Sequence, residues 1–204
     1  HDDAGNIIAD SDLDGFNIDG NYTRFMNGTS SACPSVAGVC ALMLQANPSL
    51  TWRDVKYILA YTARKNDVAD NGWSTNGAGL HVNHDYGFGV VDASAAVTMA
   101  ESVTGLSTEK ASTLYTDEVN MAIPDGNSLG IEQTINVTET MNVEHVDIWF
   151  SAPDHPYIDD LRITLISPAG TESVLAVGGE EFIGSLQRYD GWRFSTVHSL
   201  DEHA

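Results

Sequence analysis

The chain has 204 residues, with 29 Asp and Glu against nine Lys and Arg, for a formal charge of −20. Hydrophobic residues make up 42%, an ordinary share for a globular chain that excludes wholesale disorder. The acidity argues against nucleic acid and anionic membranes as partners, because both are held by Lys and Arg, and it favours solubility and divalent or cationic partners.

No stretch approaches the roughly 20 apolar residues that span a bilayer. The chain opens on His1-Asp2-Asp3, without Met or a basic leader, and reads as a piece of a longer protein. Residues 1–27 are rich in Asp, Asn and Gly and read as loop with a short strand at Asn6–Ala9. The small and apolar run at 30–46 predicts a buried helix, with Pro34 in its first turn and Asn47-Pro48 as its stop. Cys33 and Cys40 would then lie about 10.5 Å apart along one helix axis. A disulfide needs Cα atoms within about 7 Å, so both read as small buried thiols.

Thr51 with Asp54 three residues on gives a capping signal, and Trp52, Val55, Ile58, Leu59 and Thr62 follow at helical spacing, so a second helix is expected to about Ala63. Residues 64–85 are polar and rich in Gly and Asn, which predicts a surface loop with short extended pieces. The run 86–91, Tyr-Gly-Phe-Gly-Val-Val, reads as a strand or close turn, and Asp92 caps a third helix ending near Val103. Residues 104–118 carry no period and read as a linker between a domain at 1–103 and a second at 119–204.

From Val119 onward strand signals dominate, in the runs at 131–137, 143–150, 161–167, 173–178 and 192–197. Short strands at such spacing predict a β-sandwich or jelly roll. Leu161, Ile163 and Leu165 alternate and are expected in its core with Trp149, leaving Arg162 and Thr164 outward.

Asn27-Gly28-Thr29-Ser30-Ser31-Ala32-Cys33-Pro34 is the segment most informative about chemistry. It places a serine after a Gly-Thr turn and directly before a helix. The helix N-terminus offers unpaired N–H groups and a partial positive charge, which suit a developing oxyanion. Taken alone, a Ser or Thr there is more often only a cap.

The run from Gly28 to Leu59 resembles the nucleophile segment of subtilisin-like serine peptidases, whose pattern is Gly-Thr-Ser-x-Ala-x-Pro. Residues 70–97 resemble the kexin/furin-like branch. The runs at 123–137, 154–176 and 189–197 resemble the P domain, the β-sandwich that follows the catalytic domain in that branch. The resemblance implies an α/β fold for the C-terminal part of a catalytic domain at 1–103, then an incomplete all-β P domain at 119–204. It implies Ser30 as nucleophile, a protein or peptide substrate, and a secreted or periplasmic location. In that family the triad runs Asp, His, Ser along the chain. Only His1 precedes Ser30, so Asp and His are expected from a segment upstream, in the parent or in another chain, and this chain alone is expected to be inactive. The competing reading is a non-catalytic relative whose sandwich binds or braces a partner.

Asp10, Asp12 and Asp14 stand at alternate positions before Gly15, like the first half of a calcium loop, but position twelve is Asn21 and no helices flank it. A structural calcium ion there competes with an ordinary acidic turn. Asp154, Asp159 and Asp160 crowd another loop and allow the same two readings. His84-Asp85 follows Ser30, on the wrong side for the family, and reads as loop structure. His81, His145, His155, His198 and His203 show no metal-ligand spacing on a shared helix. Asn21-Tyr22-Thr23 and Asn136-Val137-Thr138 fit the N-glycosylation pattern.

Overall fold

The protein is described by a computed structural model over residues 28–115, 119–155, 157–178 and 188–204. The expected strand at Asn6–Ala9 lies outside them. Three helices form the first half: α1 (Thr29–Ala46), α2 (Trp52–Thr62) and α3 (Ala93–Ser102). The local signals behave as their chemistry requires. Thr51 accepts from the Asp54 N–H while the Asp54 carboxylate accepts from the Thr51 N–H, closing a reciprocal cap. Asp92 accepts from the Ala95 N–H at 2.9 Å and starts α3.

Val39 and Met43 of α1, Ile58 of α2, and Ala96 and Ala100 of α3 form one buried cluster with Leu50. The two alanines are small enough to let α1 approach α3 closely. Only Val39 and Met43 of α1 are buried, so the helix expected to be buried is covered along a single stripe. Neighbouring helices cover one stripe, and Leu42 and Leu44 face outward. Cys33 is exposed rather than buried, and both cysteines are free thiols. Ile58 has no exposed surface, so Ile58→Ala leaves a cavity and costs about 3 kcal/mol in denaturant unfolding. Trp52→Ala, at a residue 68% exposed, changes stability by less than about 0.5 kcal/mol.

Between α2 and α3 the chain makes a short antiparallel pair, β1 (Ser74–Thr75) with β2 (His81–Val82). The run 86–91 resolves as a close turn. Gly89 has φ 110°, and a Cβ there would stand 2.2 Å from the Arg64 carbonyl oxygen, so only glycine fits. The turn is locked where Arg64 and Val90 exchange backbone hydrogen bonds of 2.9 Å.

The second half holds β3 (Val146–Ala152), β4 (Ile163–Ile166), β5 (Glu172–Ala176) and β6 (Tyr189–Thr196). β3 pairs antiparallel with β6, and β4 with β5. The two pairs meet through β5 and β6, where the Ser173 and Thr196 hydroxyls share a buried hydrogen bond of 2.9 Å. Ile148 and Phe150 line the covered face of β3 opposite Phe194 and Trp192, and Tyr189 packs edge-on against Phe150. Trp149 falls on the other face, 63% exposed with the Arg193 guanidinium over its ring, which corrects its place in the core. Leu161 is buried and Arg162 exposed, as expected. A register shift between Ile163 and Thr164 breaks the alternation, and Thr164 is as half-buried as Leu165. The run 131–137 makes no strand, which corrects that expectation: its residues are exposed and take no ladder partner among the described residues.

The halves are joined by the face of α2 that carries Arg53, Tyr57 and Tyr61, four residues apart and therefore in line. Arg53 grips Glu144 through two nitrogens and donates to the Ser107 carbonyl at 2.8 Å. Lys56 donates to the Glu144 carbonyl at 3.0 Å. Both tyrosine hydroxyls donate to one oxygen of Asp201, and the Asn142 amide donates to the other. Beside them Leu200 packs with Ala60 and Leu80. The buried Asn76 amide donates to the carbonyls of His198 and Leu200, while its oxygen accepts from the Ala78 and Leu80 N–H groups. Glu202 accepts from the Gly77 N–H at 2.7 Å and from the Thr171 hydroxyl.

Candidate active site

Ser30 is the second residue of α1. Gly28 turns the chain into the helix with φ 69° and ψ −163°, a conformation that L side chains rarely adopt. Its carbonyl accepts from the Ser31 and Ala32 N–H groups at 3.1 and 3.2 Å. The N–H groups of Thr29 and Ser30 have no carbonyl four residues back within the helix, so they are available to an acceptor outside it. Ser30 is exposed, and no described side chain hydrogen-bonds its hydroxyl.

Val39 lies nine residues on, about 2.5 turns, which places the buried stripe on the opposite side of the helix from Ser30. α1 contains no charged side chain, so its own sequence leaves the positive N-terminal end unneutralised. A negative charge developing beside Ser30 is favoured there. Pro34 is the sixth helical residue, which corrects its expected place in the first turn. Having no N–H, it leaves the Ser30 carbonyl without the usual partner four residues on. The residues around Ser30, Cys33 and Pro34 are small and exposed, so a chain lying across them would meet little obstruction.

The structure brings no described histidine into hydrogen bonding with Ser30. His84 is exposed, and the Asp85 N–H donates to the Asn83 side chain, which makes this pair part of a loop. His145 bonds Asp147 at 2.9 Å on the far side of β3. That carboxylate also accepts from Ser195 and Arg193, and these hydrogen bonds hold it well below the usual range. Asp10, Asp12 and Asp14 lie outside the described residues. Among the described residues no three His, Cys, Asp or Glu side chains converge to hold a metal ion; Asp154 lies in a turn, and Asp159 and Asp160 end the single 3-10 turn Ile158–Asp160. No described helix is long and apolar enough to cross a membrane.

The junction on α2 was not read from the sequence. The spacing of Arg53, Tyr57 and Tyr61 marks a second face of the helix, but it carries no sign of what that face meets. Burial, and then the hydrogen bond to Asp201, push the Tyr61 phenol far above its ordinary value. Asp54, 2% exposed, is held below the usual carboxylate range because its hydrogen bonds to Thr51 and Leu106 outweigh burial, the largest single influence on it and one that acts upward.

Comparison with known proteins supplies the wider frame. Residues 4–89 match the profile of the subtilase family, and residues 143–204 match the proprotein convertase P-domain. The chain is 38% identical over 186 residues to PC3-like endoprotease variant B of Hydra vulgaris, covering 89% of this chain and 26% of that protein. It is 37% identical over 183 residues to proprotein convertase subtilisin/kexin type 5 of Rattus norvegicus, covering 87% of this chain and 10% of that one. With furin-like protease 2 of Drosophila melanogaster the figures are 34% over 206 residues, 97% and 12%. The chain thus spans about a quarter or less of the curated relatives it matches. Among solved structures, a serine protease of Aeromonas sobria superposes with a TM-score of 0.74 at 27% identity, over 88% of this chain and 36% of that one.

Proposed function

The chain joins a subtilase-family segment to a proprotein convertase P-domain, and from that premise we propose that its parent is a subtilisin/kexin-like serine endopeptidase with Ser30 as nucleophile. The observation that carries the proposal is the exposed Ser30 at the positive end of α1, a helix with no charged side chain of its own. In this reading the Ser30 hydroxyl attacks a peptide carbonyl and gives its proton to a histidine supplied by an upstream segment. The Ser30 N–H helps hold the oxyanion, water then releases the acyl group, and the substrate is a protein or peptide. The division into a catalytic part at 1–103, a linker at 104–118 and a P domain at 119–204 belongs to the same reading, as does a secreted or periplasmic location. It is supported by the absence of helix and strand at 104–115.

A fluorophosphonate tests the nucleophile. It labels Ser30 in the parent protein, and it leaves the 204-residue chain unlabelled because no described histidine reaches Ser30. Labelling at another serine, with Ser30 untouched, rejects the assignment.

A structural calcium ion at Asp10, Asp12 and Asp14 is the remaining part of the proposal, supported by three alternating carboxylates whose mutual repulsion a divalent cation offsets. The melting temperature of the parent rises as free calcium exceeds the dissociation constant. The Asp10→Asn/Asp12→Asn double variant loses that response in calorimetry. An equal response in both proteins places the ion elsewhere.

A further inference from the structure

The structure assigns Asn136 as an acceptor of N-linked oligosaccharide, in the exposed, strand-free segment 131–138. The inference rests on the secreted location, one of the two given under the proposed function. Three observations carry it. Asn136-Val137-Thr138 has the required hydroxyl two residues after the amide and no proline between. Asn136 and its neighbours are exposed throughout 131–140, where an acceptor must lie to be reached. The backbone here is also uncommitted. Between the turn in which the Gly130 N–H bonds the Asn127 carbonyl and the Ala204 bond to Met141, no backbone hydrogen bond forms among the described residues. A transferase that binds its acceptor as an extended peptide therefore has no ladder to break.

The alternation of the segment strengthens the assignment. Ile131, Ile135 and Val137 fall at alternate positions, with Glu132, Thr134, Asn136 and Thr138 between them, so a fully extended backbone would set the two groups on opposite edges. Packing the apolar edge against a neighbouring strand would leave Asn136 and Thr138 pointing away from that contact. The Thr138 hydroxyl has only a local partner, the Glu139 carboxylate at 3.3 Å. Two further triplets, Asn21-Tyr22-Thr23 and Asn27-Gly28-Thr29, have their asparagines outside the described residues, and nothing is assigned to them.

The reaction forms one bond and breaks one. The Asn136 amide nitrogen bonds the anomeric carbon of an oligosaccharide carried on a lipid pyrophosphate. The bond from that carbon to the pyrophosphate oxygen breaks, the lipid pyrophosphate leaves, and the nitrogen's proton passes to a base of the transferase. No oxidant or reductant takes part.

The test expresses the parent protein in a glycosylating eukaryotic host, once with its own leader and once with an appended cleavable signal sequence. Enzymatic release of the glycan in heavy-oxygen water converts a modified Asn136 to labelled aspartate, which peptide mass spectrometry reads directly. Label is expected at Asn136. Asn136→Gln and Thr138→Ala lose one step of gel mobility shift, and Thr138→Ser keeps it. Recovery of the signal-bearing protein from the lumen or medium with Asn136 unmodified overturns the assignment. If only the appended-signal form is exported and it carries label at Asn136, the acceptor site stands and the secretory reading fails on its own.

Discussion

Ser30→Ala lowers turnover of the parent protein by about three or more orders of magnitude while its folding is unchanged. Both halves of that expectation follow from where Ser30 sits. Its side chain is exposed and bonds no described side chain, so deleting the hydroxyl opens no cavity and orphans no donor. It also caps nothing: Gly28 stands at the N-cap, and no side chain there accepts from the helix. A serine acting only as a cap would show the reverse pattern, about 1 kcal/mol of lost stability and little change in rate. The measurement is kcat on a peptide substrate alongside the melting temperature. Full activity in the alanine variant rejects the nucleophile. A loss of activity matched by a loss of fold leaves Ser30 as structure.

What could be read from sequence divides along the range of the interactions. The helix limits at Thr51 and Asp92 were legible because each cap is made by residues three apart. Ser30 was legible because its glycine turn and its helix are contiguous with it. The burial of α1 was not, since it depends on where α3 lies, more than 50 residues on. Trp149 has the composition of a core residue, but the register with β6 turns it outward beside Arg193. The run 131–137 has the alternation of a strand, yet alternation prepares an edge without supplying a neighbour. The junction lies further still from local signals: Tyr61 meets a carboxylate 140 residues away in the chain.

Asp201→Ala destabilises the parent by about 3 kcal/mol, because hydrogen bonds to a charged group are worth about 1.5–3 kcal/mol each and relaxation recovers part of the loss. Among the described residues Asp201 accepts from Tyr57, Tyr61 and Asn142 together, and its removal takes that partner from three donors at the contact between the halves. It also stands at φ 62°, which Asp and Asn tolerate better than Ala, so strain adds to the loss. The Asp201→Asn variant keeps that backbone and one acceptor oxygen, so its stability falls between those of the alanine variant and the parent. Tyr57→Phe and Tyr61→Phe remove one donor each and cost less than the alanine. Urea unfolding with an unchanged m-value reads these differences. An alanine variant within about 0.5 kcal/mol of the parent removes Asp201 from the account of how the halves hold together. Alkali supplies an independent check. The half-buried Tyr61 phenol keeps its proton when folded, whereas the unfolded chain gives it up near pH 10. The unfolded state then binds fewer protons, so this contribution is complete below about pH 10 and falls as the pH rises beyond it. Burial is the larger cause and the Asp201 hydrogen bond the next, so Asp201→Ala makes the alkaline loss shallower without abolishing it.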